Sequence, residues 1–333
     1  MERLGRFELV QHLATGGMAD VYLARRFGLG GFDRQLAIKT LRGTDDTFIG
    51  MFLDEARLLS KLHHRHIVQT YEVDCDDDGN YFMVMEYVDG HTVRRVLQES
   101  VQRDMPLPLD FTLTIATSIA AALHHAHEHD VIHRDVSPSN VLVGRDGAVK
   151  LIDFGIAKSE DRATRTAVGF VKGKAGYMAP EQVRGYDVDH RADVFALGIL
   201  AYELTTRRRA FPAGSVEEQL RMLTEASVAP PALMVDGYPR ELERIVMMAL
   251  EEQPEERHLD ARSMQLALER FAMEHHITLG GEVVARVMRE LFPQRPKTDL
   301  IEEDTVPYDL DVSFEDVLAG MATPTPVWTA RPC

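Results

Sequence analysis

The pattern of hydrophobic and polar positions changes part-way along the chain. Up to about residue 85, short apolar runs bounded by turn residues predict β-strands, whereas Phe52–Leu62 has apolar residues at helical spacing and predicts an amphipathic helix. The predicted strands are Phe7–Val10, Val21–Ala24, Gln35–Lys39, Tyr71–Val73 and Tyr81–Met85. Farther along, the apolar segments are longer and have helical periodicity. The pattern therefore predicts a small sheet-rich part followed by a larger helical part.

The helical part is predicted from segments in which apolar residues recur every three or four positions. They are Phe111–His129, Ala192–Thr205, Glu217–Glu225, Arg240–Glu251 and Ala261–His275, with one more at Glu282–Phe292. From Pro293 onward the chain is rich in proline, threonine and acidic residues, with eight acidic against two basic residues between Lys297 and Cys333. This composition predicts a mostly disordered tail.

Composition and charge narrow the class of protein. The chain of 333 residues, 45% hydrophobic and 27% charged, is long enough for a large core and typical of a globular protein. Its net charge of −16 argues against a nucleic-acid binder. Two cysteines, Cys75 and Cys333, indicate unpaired thiols in a reducing compartment. Because we find no signal peptide and no apolar run of about 18 residues, we expect a cytoplasmic protein without a membrane segment.

Two short motifs carry the candidate chemistry. The first, His133-Arg134-Asp135, is followed by Asn140, so that an acid and an amide lie five residues apart on one loop. The second, Asp153-Phe154-Gly155, begins thirteen residues after Asn140, and the apolar runs between them, turned at Gly144–Gly147, predict a hairpin. That hairpin brings Asn140 and Asp153 to the same end of two paired strands. Their oxygens suit Mg²⁺, and Asp135 is left to orient or deprotonate an attacking hydroxyl, as phosphoryl transfer requires.

These motifs, in this order and followed by Ala179-Pro180-Glu181, resemble those of the eukaryotic-type (Hanks-type) protein serine/threonine kinases, in particular the bacterial members. The resemblance covers about Phe7 to Phe271. It implies an α+β, two-lobed fold with a small antiparallel sheet lobe and a larger, mostly helical lobe. The implied divisions are an ATP-binding lobe at 7–85, a hinge at 86–90, a helical lobe at 91–275 and a tail at 276–333, partly helical and then disordered.

The resemblance also assigns roles to single residues. Lys39, at the end of an apolar strand, matches the lysine that holds the phosphates of ATP, and Glu55 matches its helix partner. Asp54 is a neighbouring acid that the helical register alone does not exclude. Asp135 matches the catalytic aspartate, and Asn140 and Asp153 match the Mg²⁺ ligands. Three further residues match structural positions of the family, a buried acid that braces the catalytic loop and an ion pair: Asp193, Glu181 and Arg257.

The implied nucleotide site includes a glycine-rich turn and the hinge. In the turn, Ala14 and Ala19 stand where the family usually has glycine, while Gly16 and Gly17 still allow a tight turn. Because alanine is less permissive at positive φ, we expect ATP binding with looser phosphate positioning. The other implied contacts surround the adenine or lie at the hinge, with Met85 as gatekeeper: Val21, Ala37, Leu142, Met85, Glu86 and Val88.

Two positions depart from the family pattern together. Ser137 stands two residues after Asp135, where the serine/threonine members have lysine, and Lys174 follows Gly173, where they have threonine. Those family positions lie close to each other and to the catalytic aspartate. We therefore interpret the pair as an exchange in which Lys174 supplies the cation that Ser137 cannot, the alternative being two independent losses. Tyrosine kinases also lack that lysine but have arginine at the position of Ser139, so we expect serine and threonine acceptors.

The resemblance implies an ATP- and Mg²⁺-dependent kinase that phosphorylates serine and threonine in protein substrates. Arg134 implies activation by phosphorylation of the segment from Asp153 to Glu181, and we expect autophosphorylation there, with a homodimer as the arrangement for reaction in trans. The candidate acceptors in that segment are Ser159, Thr164 and Thr166.

Two alternatives to this function stay open. A catalytically weak or inactive kinase-fold scaffold is favoured by Ser137, Ala14 and Ala19. A kinase for a small molecule is opposed by the complete Ala179-Pro180-Glu181 motif, which indicates a platform for peptides. Histidines cluster at 63–66 and 124–129 without cysteine partners, and we do not expect a zinc site there.

Overall fold

The computed structural model of the protein describes residues 3–16, 18–43, 45–154, 175–212 and 215–293. Its N-terminal part is a six-stranded antiparallel sheet with the strand order β1-β2-β3-β4-β6-β5. The strands are β1 Arg3–Leu4, β2 Phe7–Thr15, β3 Ala19–Phe27, β4 Asp33–Leu41, β5 Thr70–Cys75 and β6 Tyr81–Glu86. Each predicted strand is present, and all five are longer than predicted because pairing continues past their apolar centres.

One helix, α1 (Asp46–Leu59), packs against this sheet. It begins six residues before the predicted start at Phe52, because the Asp45 side chain accepts a hydrogen bond from the Thr47 amide and caps the helix. Phe52, Ala56 and Leu59 form its buried face, as the apolar spacing predicted.

A second, three-stranded antiparallel sheet connects the N-terminal part to the helices. It consists of β7 (Gly90–Thr92), β8 (Val141–Gly144) and β9 (Val149–Leu151). The predicted hairpin is therefore confirmed, with Val141 paired to Leu151. The segment after α1 is hydrogen-bonded to β9, since the Leu151 amide donates to the His66 carbonyl at 2.8 Å. This strand thus fixes the end of α1 relative to the helical part.

The helical part is built around α3, most of whose residues are buried, and α5, whose residues are almost all buried. The helices are α2 Val93–Gln102, α3 Leu109–His127, α4 Pro180–Arg184, α5 Arg191–Thr206, α6 Val216–Thr224, α7 Arg240–Ala249, α8 Ala261–Glu274 and α9 Gly281–Leu291. Gly198 of α5 allows close packing on α7, because a Cβ there would lie 2.7 Å from the Ala249 Cβ. Within the described ranges, no helix has both the length and the apolarity that a bilayer crossing needs.

The large apolar core runs from the inner face of α1 through the three-stranded sheet into the helices. A separate small cluster covers the opposite, outer face of the six-stranded sheet. Its members are Leu4, Phe7, Ala24, Leu36, Ile38, Phe82 and Val84. The sheet therefore has two apolar faces. The inner face is directed at α1 and the cleft, and the outer face carries its own small apolar cluster.

Candidate active site

Lys39 lies at the centre of the cleft between the two parts. Its Nζ is 2.8 and 3.1 Å from the two carboxylate oxygens of Glu55 on α1 and 3.0 Å from Oδ1 of Asp153. Burial lowers the pKa of Lys39, but the charges of Asp153 and Glu55 outweigh that effect and hold the pKa above its usual value. Asp54, the acid that the sequence left open, instead pairs with Arg57 on the exposed side of the helix. The lysine is therefore a permanent cation in the cleft, with Glu55 as its partner.

The loop that carries Asp135 is braced from below by Asp193 at the start of α5. The Asp193 carboxylate accepts hydrogen bonds from the backbone amides of His133 and Arg134, both at 2.8 Å. It also lies 2.8 Å from Nε2 of His127. Burial raises the pKa of Asp193, but its hydrogen bond and charge interaction with His127, together with the backbone donors, outweigh that effect and keep the pKa low. The brace fixes the loop conformation, in which Arg134 adopts a left-handed φ of 63°.

Asn140 ties the loop to the hairpin. Its Nδ2 donates to the backbone oxygen of Asp135 at 2.8 Å and to the Asp135 carboxylate at 2.9 Å. The Ile152 amide donates to the Asn140 carbonyl at 2.9 Å, immediately before Asp153. The ends of β8 and β9 thus place Asn140 and Asp153 side by side, as the hairpin predicted.

The segment around Asp153 is anchored by a buried histidine. The His133 ring lies 4.4 Å from the Phe154 ring, and its Nε2 is 3.1 Å from the Ile152 carbonyl. Burial holds the pKa of His133 below its usual value, so the ring is neutral at pH 7. Asp153 itself adopts a left-handed φ of 53°, which turns the chain out of β9 and directs its carboxylate to Lys39.

Both departures from the family pattern around the glycine-rich turn lie in paired strands. Ala14 pairs with Val21, and Ala19 pairs with Leu41, in antiparallel register. Neither alanine has a positive φ, so the backbone reason for expecting looser phosphate positioning was wrong. The Gly16 amide donates to the Ala19 carbonyl at 2.7 Å and closes the turn. Gly17 lies outside the described residues.

Strand pairing places three of the candidate adenine contacts on neighbouring strands of the sheet. Ala37 pairs with Met85 across β4 and β6, and Val21 pairs with Lys39 across β3 and β4. The Glu86 amide donates to the Gln69 carbonyl at 2.9 Å. Val88 follows in the connection to β7, and Leu142 lies in β8.

An ion pair fixes α4, which carries the Ala179-Pro180-Glu181 motif. Arg257 donates to both carboxylate oxygens of Glu181, at 2.7 and 2.8 Å, and both side chains are buried. The guanidinium also donates to the carbonyls of Glu251, Glu252 and Arg191. Because both charges are paired, the bridge holds α4 on α5 and the α7–α8 connection.

The structure reveals residues that sequence reasoning missed. The Gln182 side chain donates to the Arg134 carbonyl and accepts from the Ala179 amide, joining α4 to the catalytic loop. The Tyr177 hydroxyl donates to the buried Glu203 on α5 at 2.7 Å. Gln182, Tyr177 and Glu203 belong to none of the motifs, so the sequence carried no motif signal for them. Among the described residues, no group of three or more histidine, cysteine or acidic side chains is arranged to hold a metal ion.

Several predictions from the sequence fall on residues that the structure does not describe. They concern Gly17, Gly155, Ser159, Thr164, Thr166, Lys174 and the tail from residue 294. Ser137, the other member of the expected exchange, is described: it is 1% exposed, and within the described residues its Oγ has no hydrogen-bond partner.

Comparisons with known proteins agree with this geometry. The family model described as "Protein kinase domain" matches residues 7–266. The chain is 38% identical to "Tyrosine-protein kinase MasK" of Myxococcus xanthus, over 92% of this chain and 50% of that protein. It is 36% identical to "Serine/threonine-protein kinase PrkC" of Bacillus subtilis, over 78% of this chain and 40% of that protein. It therefore spans half or less of the length of these two relatives.

A solved structure shows the same architecture. The crystal structure of the Mycobacterium tuberculosis PknI kinase domain, determined on a point mutant, superposes with a TM-score of 0.60 at 27% identity. The match covers 80% of this chain and 96% of that domain. The predicted α+β fold, with a small sheet lobe and a helical lobe, is confirmed. The ordered motifs, the family match and these relatives show that the chain belongs to the Hanks-type protein kinase family.

Proposed function

We propose that this protein is a serine/threonine protein kinase that transfers the γ-phosphate of ATP to hydroxyls of protein substrates. One observation carries the proposal: Lys39 contacts both Glu55 and Asp153, so the phosphate-binding cation lies beside the carboxylate that would hold the metal. Grouping three charges in a partly buried cleft costs desolvation free energy, which bound phosphates and metal would offset. This arrangement supports a catalytic protein over an inactive scaffold.

Asn140 and Asp153 fit Mg²⁺ by the chemistry of their donor atoms. Both described side-chain hydrogen bonds of Asn140 use Nδ2, which leaves its amide oxygen for a cation. Oxygen ligands of this kind suit a hard divalent ion, which would neutralise phosphate charge as the γ-phosphate is transferred. The chain's own contribution is to hold the two side chains at adjacent strand ends.

Asp135 would act on the acceptor hydroxyl. The bonds from Asn140 and the Asp193 brace fix its carboxylate relative to the metal ligands, so the acceptor can be oriented toward the γ-phosphate. The aspartate would then accept the hydroxyl proton as the new oxygen–phosphorus bond forms and the bond between the γ-phosphorus and its bridging oxygen breaks, which releases ADP. Lys39 would hold the α- and β-phosphates during the step.

We retain the exchange of Ser137 and Lys174 as part of the proposal. Serine at 137 offers only a buried hydroxyl, so a cation near Asp135 has to come from another residue. Lys174→Ala should lower kcat by about a hundredfold or more, comparable to Lys39→Ala, with ATP affinity unchanged. Radiolabel transfer by the two variants, with circular dichroism to verify folding, measures this. A rate for Lys174→Ala within a few-fold of the parent protein would contradict the exchange.

A second acceptor class is favoured by one specific pair of observations. The relative from Myxococcus xanthus is named a tyrosine kinase, and Ser137 replaces the lysine that serine/threonine kinases carry. Tyrosine acceptors are therefore the alternative. Ser139 argues against them, because tyrosine kinases have arginine at that position.

The test is phosphorylation of a protein substrate with labelled ATP and Mg²⁺, beside an Asp135→Asn variant. Label that the variant fails to incorporate, recovered as phosphoserine or phosphothreonine, is the expected result. Recovery as phosphotyrosine would show that the acceptors are tyrosines, while still supporting kinase activity. Binding of ATP without any transfer, also after treatment with an active kinase of the same family, would favour the scaffold.

A further inference from the structure

A polar network lies on the outer side of the β2–β3 hairpin, which carries the glycine-rich turn. The Asp20 carboxylate accepts hydrogen bonds from Arg42 Nε at 2.7 Å and from the Thr15 hydroxyl at 2.8 Å, and His12 Nε2 lies 3.2 Å from it. Arg42 Nη2 also reaches the Thr15 hydroxyl at 3.3 Å. The His12 ring packs edge-on against Tyr22 at 5.0 Å. The network thus joins the end of β2, the start of β3 and the residue after β4.

This network faces away from the nucleotide cleft. Asp20 pairs with Thr40, whereas the next pair along, Val21 and Lys39, points to the opposite face because side chains alternate along strands. Ile38 and Ala24, which share the side of Asp20, lie in the outer apolar cluster. None of the network side chains is therefore placed to touch ATP, and its effect must pass through the backbone.

The β2–β3 hairpin depends on these side-chain contacts because the pairing of β2 is irregular. Its register with β3 shifts between Leu9 and Gln11 and again between His12 and Ala14, and each shift bends a strand and weakens its pairing. The two shifts come just before the turn that would hold phosphates. The contact between Asp20 and Arg42 connects this turn to the end of β4, the strand that carries Lys39.

The Asp20 carboxylate is charged and held in place by its partners. Burial raises the pKa of Asp20, but the hydrogen bonds from Arg42, Thr15 and His12 outweigh it and hold the pKa below its usual value. The Asp20 side chain is 16% exposed and that of Arg42 46% exposed, so the carboxylate is fixed while part of the guanidinium is hydrated.

We propose that Asp20 and Arg42 are positioning residues for the phosphates of ATP, fixing the glycine-rich turn at a constant distance from Lys39. This inference rests on the proposed use of ATP. It assigns to the outer network the rigidity that keeps the turn amides in place for phosphate binding. Losing the network should weaken the phosphate contacts more than the adenine contacts, which except for Val21 lie on β4, β6 and β8 and at the hinge.

The test compares the affinities of Mg-ATP and adenosine by calorimetry for the full chain and for Asp20→Ala, Arg42→Ala and the double variant. The matched control is Asp33→Ala, which removes the Arg25–Asp33 pair at the far end of the same β3–β4 hairpin. We expect Kd for ATP to rise about five- to tenfold in each single variant, with little further rise in the double variant. Kd for adenosine should stay within about twofold, and the control should change neither.

The other outcomes would contradict either the positioning role or the proposed function. Equal loss of ATP and adenosine affinity would show general distortion of the sheet and contradict the positioning role, as would unchanged ATP affinity in either single variant. If one variant failed to fold, the other would still decide the question. Failure of the unmodified protein to bind ATP would overturn the proposed function, and this inference with it.

Discussion

At the scale of single residues, burial and charge compete at each ionisable group in the cleft and the helical core, and the balance differs from one group to the next. Lys39 is half-buried between two carboxylates and stays charged. Glu203 is buried with a tyrosine hydroxyl, and burial raises its pKa from 4.5 to about 7. The sequence identified the first because it lies in a motif, whereas Glu203 lies in an apolar helix pattern that carries no such signal.

Glu203→Gln should change the pH dependence of stability. Because the folded pKa exceeds the unfolded value, the folded protein binds more protons between pH 4.5 and about 7, and its stability falls as pH rises through that range. Glutamine removes this loss. The free energy of unfolding of the variant, relative to that of the parent, should therefore rise by roughly 2–3 kcal/mol from pH 5 to pH 8. Urea unfolding of both proteins at the two pH values measures the gain. Parallel pH curves would contradict the assignment.

At the scale of elements, α9 is the clearest case of packing beyond the family match. It follows residue 266, yet its apolar face is buried against the core. The Gly280 amide donates to Thr114 Oγ1 at 3.1 Å, and Arg145 Nη1 donates to the Phe292 carbonyl at 2.8 Å. The sequence predicted this helix from its periodicity, but not that it would pack behind β8.

Gly147 tests the contact between the β8–β9 turn and α9. Its φ is +93°, and a Cβ there would lie 1.9 Å from the Gly281 carbonyl, whereas Gly237, with a φ of +73°, has no atom within 4 Å of its Cβ position among the described residues. Gly237→Ala should therefore cost only the backbone strain, about 1 kcal/mol. Gly147→Ala should cost roughly 1–3 kcal/mol more, because the turn and α9 must separate. Denaturant unfolding of the two variants gives the difference, and equal costs would exclude a tight contact.

The ion pair that holds α4 gives a second prediction at this scale. Arg257→Ala leaves the buried Glu181 charge unpaired and should cost about 3–5 kcal/mol of unfolding free energy. Arg184→Ala, at the more exposed Arg184–Glu252 pair, should cost less than about 1 kcal/mol. Both costs are read from urea titrations. Similar losses at the two sites would mean that the buried bridge is not what fixes α4.

At the scale of the whole molecule, a row of histidines joins the two parts of the protein. His64, in the segment after α1, stacks on His125 of α3 at 5.1 Å, and His66 is 3.0 Å from the Val149 carbonyl. Burial, aided by neighbouring histidines, Arg65 and Lys150, lowers the pKa of His64 to about 4. The pKa of His66 and that of His125 are lowered as well, again mainly by burial.

The whole protein should therefore lose stability as pH falls from 6.5 toward 4. Because their folded pKa values lie below the unfolded value of 6.5, these histidines bind fewer protons in the folded protein than in the unfolded chain. Their stabilisation is therefore present above pH 6.5 and is lost as pH falls below it, for His64 down to about pH 4. Glu203 and Glu55, whose pKa values are raised mainly by burial, contribute the opposite trend, and we expect the histidines to outweigh them. Urea midpoints between pH 4 and pH 8 measure the net slope, and His64→Asn, a smaller polar side chain, should flatten it. A steeper slope in that variant would contradict the role of His64.

The sequence by itself determined the family, the order of sheet and helical parts and the motif residues, because each depends on local periodicity or fixed spacing. Helical periodicity could not choose between Asp54 and Glu55, which only the family resemblance separated, since neighbouring residues on a helix differ only in the direction they face once α1 is packed. Nor could it show that Ala14 and Ala19 lie in extended strands, or that Asp20 meets Arg42. Those contacts join residues distant in sequence, and only the pairing of β2, β3 and β4 brings them within hydrogen-bond distance.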